Sequence, residues 1–300
     1  MMRKILVMGG TVFVSRYIAE YFVGKGDQVY VLNRGHHIQP KNTILIQGDR
    51  HKLGELLKNY EFDVVLDVTA YTGKDVECLL EALGKYKDYI LISSSAVYPE
   101  TEKQPFTENS RVGKNKYWGQ YGTNKIEAEK ILLEKVPSAY ILRPPYLYGP
   151  MNNLYREAFV FDCAMNDRKF FLPKDGEMKL HFFYIHDLCK MIEKILEKKP
   201  HQHIFNVGNE TTISIKNWVE MCYNLLEKKP IFEKVMDDIE QREYFSFYDY
   251  EYVLDISAQK QLLSELTPLQ KGLEESYCWY KEHMTEVDKK DFIKFIDSNL

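Results

Sequence analysis

Ile5-Leu6-Val7-Met8-Gly9-Gly10-Thr11-Val12-Phe13-Val14-Ser15 passes from four apolar residues through a glycine pair into a segment where Phe13, Tyr17, Ile18 and Tyr21 recur at helical spacing. A short run apolar on both faces reads as a strand buried between layers, and the stripe after it as a helix covering that strand. The same alternation continues downstream. Residues 29–32, 44–46 and 64–66 read as further strands, and Val76, Leu79, Leu80 and Leu83 mark the helix after the third of these. Residues 90–92 and 140–142 are two more strands, and 205–207 another. Each run alone is ambiguous, but their regular alternation with helices predicts an α/β fold: a doubly wound parallel sheet covered on both faces.

In such a sheet the turn after the first strand is where a phosphate is bound. Glycine permits the tight bend and the close approach of backbone, and the helix that follows presents free N–H groups and its positive dipole end. Gly9 keeps the first place of three spaced glycines, while Val12 and Ser15 occupy the second and third. The alternative is an ordinary strand-to-helix turn. The second strand ends in Leu32-Asn33-Arg34-Gly35. An acid here would take the ribose hydroxyls of NAD. The neutral Asn33 followed by Arg34, which can stack on adenine or pair with a 2′-phosphate, leans towards NADP(H) within an NAD(P)(H) cofactor. Asp49, after the third strand, can accept the adenine amino group.

Tyr121 and Lys125 lie four residues apart at the start of a helix over 127–133, which puts both on one face. A phenol with a pKa of about 10 is a poor base at neutral pH. A neighbouring ammonium favours the phenolate and turns it into a proton shuttle. The chemistry also needs a hydroxyl to orient the reacting oxygen, and Ser93-Ser94-Ser95 follows the strand 90–92 at its carboxyl end, where ligands sit in open α/β sheets.

Taken together, residues 92–98, Gln104-Pro105-Phe106-Thr107-Glu108 and Tyr121-Gly122-Thr123-Asn124-Lys125 resemble the active-site run of the extended short-chain dehydrogenase/reductases, the NAD-dependent epimerase/dehydratase group. Leu142-Arg143-Pro144-Pro145, Phe183-Tyr184-Ile185-His186-Asp187 and Phe205-Asn206-Val207-Gly208 resemble later landmarks of that group in the same order. The resemblance implies a Rossmann fold with Tyr121 as acid/base, Lys125 on the nicotinamide ribose and Ser94 on the substrate oxygen, Ser95 being the alternate. It also implies Gly9, Thr11, Val12 and the N–H groups of Phe13 and Val14 around the pyrophosphate, with Thr69, Ala70 and Pro144 along the cofactor. Three features depart from the group's pattern: Val12 and Ser15 for glycines, Asn33-Arg34 for an acid, and Leu180-His181 where nucleotide-sugar members carry Arg-Asp. Ala96 stands where dehydratases carry an acid, which points away from dehydration.

The 300 residues suffice for one large domain or two packed ones. After Pro150 the alternation loosens. Leu188, Met191, Ile192, Ile195 and Leu196 form a stripe with Asp187 as its N-cap, and Trp218, Val219 and Cys222 form another starting near Ser214. The expected division is a dinucleotide-binding domain over 1–148, to which the chain returns within 181–207, and a smaller mixed substrate lobe over 149–300. The aromatic stretch 244–252 reads as packing or as pocket lining.

A net charge of −4 argues against a broad nucleic-acid footprint. The five cysteines show no paired spacing and read as reduced thiols of a cytoplasmic protein. No segment reads as a signal peptide or membrane span, and His36-His37 and His201-Gln202-His203 lack metal-ligand spacing. A tail with Phe292, Ile293 and Phe295 reads as a helix packing on the body or on a second copy of the chain. The leading expectation is NAD(P)-dependent oxidation, reduction or epimerisation at a secondary alcohol or ketone of a sugar-like substrate, nucleotide-sugars included. The rivals are a non-catalytic protein that senses dinucleotide or binds RNA or a partner, and a reductase of a small non-sugar metabolite.

Overall fold

The computed structural model describes residues 2–236 and 239–300. It begins with β1 (Lys4–Met8), α1 (Phe13–Gly24), β2 (Gln28–Asn33), β3 (Ile44–Gln47), β4 (Glu61–Asp67), α2 (Gly73–Ala82), β5 (Lys85–Ile92), α3 (Gln120–Lys135) and β6 (Tyr140–Arg143). It continues through β7 (Tyr146–Tyr148), α4 (Glu157–Met165), β8 (Phe170–Pro173), β9 (Lys179–Leu180), β10 (Phe182–Tyr184), α5 (Ile185–Lys198) and β11 (Ile204–Asn206). The last third holds β12 (Ile213–Ser214), α6 (Ile215–Asn224), β13 (Phe232–Val235), α7 (Gln241–Tyr244), α8 (Ser257–Leu262), α9 (Leu269–Glu282) and α10 (Phe292–Asn299).

Two compact units divide these elements. The first comprises Met1–Pro145, Ile185–Gly208 and Leu254–Leu266, and the second Tyr146–Tyr184, Asn209–Val253 and Thr267–Leu300. Unit 1 is built on a seven-stranded sheet in the order β11-β6-β5-β4-β1-β2-β3. Every pairing is parallel; Ile5 of β1 pairs with Val29 of β2 and with Val64 of β4. The order reverses at β1: the chain winds outward to β3, then re-enters beside β1 as β4. In an open α/β sheet the crevice outside the carboxyl ends of the strands at such a reversal is where ligands bind. The Gly9 turn leaves β1 there and Thr69-Ala70 leave β4 there. Leu6, Val65, Leu91 and Ile141 from the strands pack with Leu79 of α2 and Leu132 of α3 in one buried layer. Helix α2 starts at a capping box that the sequence reading did not pick out: Thr72 Oγ1 accepts from the Asp75 N–H, and the Asp75 carboxylate accepts from the Thr72 N–H.

Among its described residues unit 2 carries three two-stranded sheets, β10-β7, β12-β9 and β13-β8, which short apolar runs did not betray. Its aromatic stretch is largely buried within the unit, with Phe247 packed on Tyr146, Phe182 and Trp218. Ser214 caps α6 by accepting from the Asn217 N–H, as its position suggested. Asp187 does not cap its helix: α5 begins at Ile185, and the buried Asp187 carboxylate pairs with Lys190 at 3.0 Å. The tail helix α10 buries Phe292 and Ile296, and Phe292 stacks on Tyr155 of the same unit. Among the described residues no helix is long and apolar enough to cross a membrane, and no group of three metal-ligating side chains is brought together.

Candidate active site

The turn after β1 needs its two glycines. Gly9 and Gly10 have φ of +98° and +89°, a region that side chains disfavour. A Cβ at Gly10 would lie 2.4 Å from Val31 Cγ1, and one at Gly9 3.0 Å from Thr69 Cγ2 and from Ser15 Oγ. Val12 is the N-cap of α1 in extended conformation (φ −132°), so its backbone does not call for glycine, and no side chain caps the helix. The N–H groups of the first turn are thus left for a ligand, as an anion at a helix N-terminus requires. Ser15 folds back to donate to the Val12 carbonyl at 3.0 Å. Phe13 has φ of 30°, a strained value for a bulky residue, held at the point where a dinucleotide phosphate would approach. Turn geometry and donor set both fit a dinucleotide.

Asn33 turns out to support this turn. Its Nδ2 donates to the Gly9 carbonyl and to Gln39 Oε1, both at 2.8 Å, and its Oδ1 accepts from the Gly35 N–H. Its side chain is thereby committed to protein partners. Arg34 is exposed at the end of β2. Asp49 caps a short 3-10 turn by accepting from the His51 N–H.

Lys125 is only 2% exposed. Its ammonium donates to the carbonyls of Ala70 (2.7 Å) and Ile92 (3.0 Å), at the carboxyl ends of β4 and β5. It lies 5.0 Å from the centre of the Tyr71 ring and 6.0 Å from that of Tyr121. Burial lowers its pKa to about 8 against the opposing pull of Asp67 and Glu129. Both rings are partly exposed, Tyr121 by 40% and Tyr71 by 52%. The start of α3 is pressed onto the serine turn: a Cβ on Gly122 would sit 2.3 Å from the Ala96 carbonyl oxygen. Glycine there is what lets the helix bring Tyr121 up to the turn that carries Ser94. Ser94 Oγ accepts from the Ala96 N–H at 3.2 Å, and the Ser95 N–H donates to the Pro144 carbonyl.

Two buried ionic networks hold this arrangement, and neither is visible as a motif. In the first, Arg50 donates to both carboxylate oxygens of Asp67 (2.5 and 3.0 Å) and to Thr69 Oγ1, while the Tyr89 hydroxyl donates to Asp67. Thr69 is thus tied sideways into β4's carboxyl end. In the second, Arg143 donates twice to Glu129 (3.0 and 2.6 Å) and once to Tyr98 Oη (2.8 Å). Ser93 Oγ donates to the same Glu129 carboxylate, and Tyr98 Oη to Asn206 Oδ1. Burial opposes the Arg143 charge, but the Glu129 carboxylate prevails and raises its pKa. Strands β5, β6 and β11 and helix α3 are locked together by these bonds directly below the Ser94 turn.

In unit 2, His181 is buried with Nε2 2.9 Å from the Asn209 carbonyl, and burial lowers its pKa.

The NAD dependent epimerase/dehydratase family model matches residues 76–208. Across 92% of its length the chain is 27% identical to the chloroplast stem-loop binding protein of 41 kDa b of Arabidopsis thaliana, covering 78% of that protein. It is 23% identical over 94% of its length to a trifunctional UDP-glucose dehydratase, epimerase and reductase of the same plant, of which it spans 48%. Among solved structures, a UDP-glucose 4-epimerase of Thermotoga maritima superposes with a TM-score of 0.77 at 17% identity over 94% of this chain and 99% of that one. A dTDP-glucose 4,6-dehydratase of Bacillus anthracis, solved with NAD, superposes with a TM-score of 0.76 at 18% identity over 95% and 98%. At these identities the superpositions establish the fold.

Proposed function

We propose that the chain, whose residues 76–208 match the NAD dependent epimerase/dehydratase family model, is an NAD(P)-dependent oxidoreductase or epimerase acting at a secondary alcohol or ketone of a sugar-like substrate. The observation that carries this reading is the buried Lys125 ammonium, held by two strand-end carbonyls beside the partly exposed Tyr121 ring. A cation fixed there stabilises a phenolate, so Tyr121 can take the proton of a substrate hydroxyl and return it to a ketone oxygen. Ser94 Oγ orients that oxygen. Lys125 contributes charge and reaches the ribose. A nicotinamide dinucleotide, when bound along Gly9, Thr11, Val12, Phe13, Val14, Thr69, Ala70 and Pro144, supplies the acceptor and donor of hydride. Mass spectrometry of protein denatured directly after purification tests the reading: retained NAD(P) is the expected result and would favour a self-recycling epimerase.

NADP(H) is proposed as the better cofactor, because Arg34 is the exposed charge at the end of β2 and Asn33 is a neutral residue already engaged with Gly9. Arg34→Ala should weaken NADPH binding by about one to two decades, the weight of a charge-assisted hydrogen bond, with NADH little changed. Equal losses for both cofactors in parallel fluorescence titrations would assign Arg34 to adenine stacking instead.

A second reading, a non-catalytic RNA-binding protein, is favoured by the relative named for stem-loop binding, which aligns over most of both chains. It predicts salt-dependent binding of a stem-loop RNA by protein that retains no dinucleotide.

A further inference from the structure

His51 stands in the short turn after β3, and Asp75 and Cys78 lie three residues apart on α2, which puts both on one helix face. The turn is tied to the helix: Asp49 accepts from the His51 N–H, and Arg50 donates to the Asp75 carbonyl at 2.9 Å. The His51 ring then reaches both helix residues. Its Nε2 lies 3.2 Å from Asp75 Oδ1, and its Nδ1 lies 3.8 Å from Cys78 Sγ, within hydrogen-bond reach of a sulfur. One tautomer satisfies both contacts: Nε2–H donates to the carboxylate, and Nδ1 accepts from the thiol. Asp75 is held in place for this part. Its Oδ2 accepts from the Tyr71 N–H, the Thr72 N–H and the Thr72 hydroxyl, which leaves Oδ1 to the imidazole. Burial opposes the Asp75 charge, but these donors hold its pKa below the usual carboxylate value. Cys78 is half-buried and the His51 side chain is 54% exposed, so the thiol borders on solvent. Because the two partners sit on opposite ring nitrogens, the three side chains do not converge on one metal ion.

We propose that Cys78, with His51 as its base and Asp75 as the carboxylate that orients the base, is a modification site: a nucleophilic thiol that exchanges with low-molecular-weight disulfides. A nucleophile, a base in hydrogen-bond reach and a third group that fixes the base are the parts such activation needs. His51 Nδ1 takes the thiol proton, and Asp75 stabilises the imidazolium that results. Cys78 Sγ attacks one sulfur of the disulfide, the new S–S bond forms as the old one breaks, and the departing thiolate takes the proton from His51. Cys78 is oxidised to a mixed disulfide, and the other half of the reagent leaves reduced as a free thiol. The inference rests on unit 1 alone and does not depend on the Tyr121 reading.

Hydroxyethyl disulfide, a small neutral reagent, is the probe. It is incubated with the intact chain at neutral pH, and adducts are located by peptide mass spectrometry after an acid quench. Cys278, exposed on α9 of unit 2, serves as the reference thiol, and Cys189, buried on α5 of unit 1, should stay unreacted while that unit is folded. An ordinary thiol is only a few per cent ionised at neutral pH, so a base that takes its proton should make Cys78 react about 10-fold faster than the more accessible Cys278. His51→Gln changes an exposed side chain, and it should bring Cys78 down to the Cys278 rate or below, with Cys278 itself unchanged. Cys78 reacting no faster than Cys278 in wild type would overturn the proposal whatever the variant does. So would Cys78 reacting as fast in His51→Gln as in wild type.

Discussion

Tyr121→Phe is expected to fold, to bind dinucleotide, and to turn over substrate about two to four decades more slowly than wild type, the range for a lost general acid/base. The substitution removes one hydroxyl from a ring that is 40% exposed, so little packing is lost. Lys125→Met should also lower turnover and should in addition weaken dinucleotide binding, since the ammonium is assigned to the ribose as well. The two losses should be far from additive, because the residues act as one unit. The pH profile gives the sign of the charge effect. Burial lowers the Lys125 pKa to about 8, so the ammonium is present below that pH and lost above it. Turnover should therefore decline as pH rises through about 8, and the decline should vanish from the residual activity of Lys125→Met. A Tyr121→Phe enzyme with near-normal turnover would leave the Tyr-Lys spacing without a catalytic meaning.

Arg143→Met should be the most destabilising of the site's substitutions. Arg143 and Glu129 are both about 4% exposed and doubly hydrogen-bonded to each other. Removing the cation leaves Glu129 buried with, among the described residues, only the Ser93 hydroxyl as a donor, at a cost of about 3–5 kcal/mol. The melting midpoint should fall by about 10 °C. The double variant Arg143→Met/Glu129→Met should recover most of that loss, since an apolar pair of similar volume often replaces a buried ion pair without penalty. If the double variant were as unstable as the single one, the pair would matter through packing. Turnover should remain low in the double variant even so, because the network also fixes Ser93 and Tyr98 beneath the Ser94 turn.

The sheet of unit 1 was legible because its strands are buried on both faces and read as apolar runs, with helical stripes between them. Tyr121, Lys125 and the serine turn were legible as spacing and order. Asn33 was legible only as a neutral residue where an acid would take the ribose; that its side chain holds the Gly9 carbonyl is a contact between two strand ends that no local pattern reveals. Arg50, Asp67 and Glu129 were missed for a similar reason. Each is a charge made tolerable in a buried position by a partner 14 to 17 residues or more away in sequence. The available signal was a charge at the end of an apolar run, as in Asp67 after Val64-Val65-Leu66. In unit 2 the strands are two to four residues long, too short for a period to register.

The central claim is that the Gly9 turn binds a nicotinamide dinucleotide beside Tyr121 and Lys125. Fluorescence titration of NADPH and NADH into the wild-type chain and into Gly9→Asp tests it most directly. Saturable binding of NADPH, tighter than that of NADH and largely lost in Gly9→Asp, is the predicted result, because a carboxylate there combines a steric block at φ +98° with repulsion of the phosphates. No binding of either dinucleotide at about millimolar concentration, a standard free energy weaker than about −4 kcal/mol, would contradict the account and leave the non-catalytic reading standing.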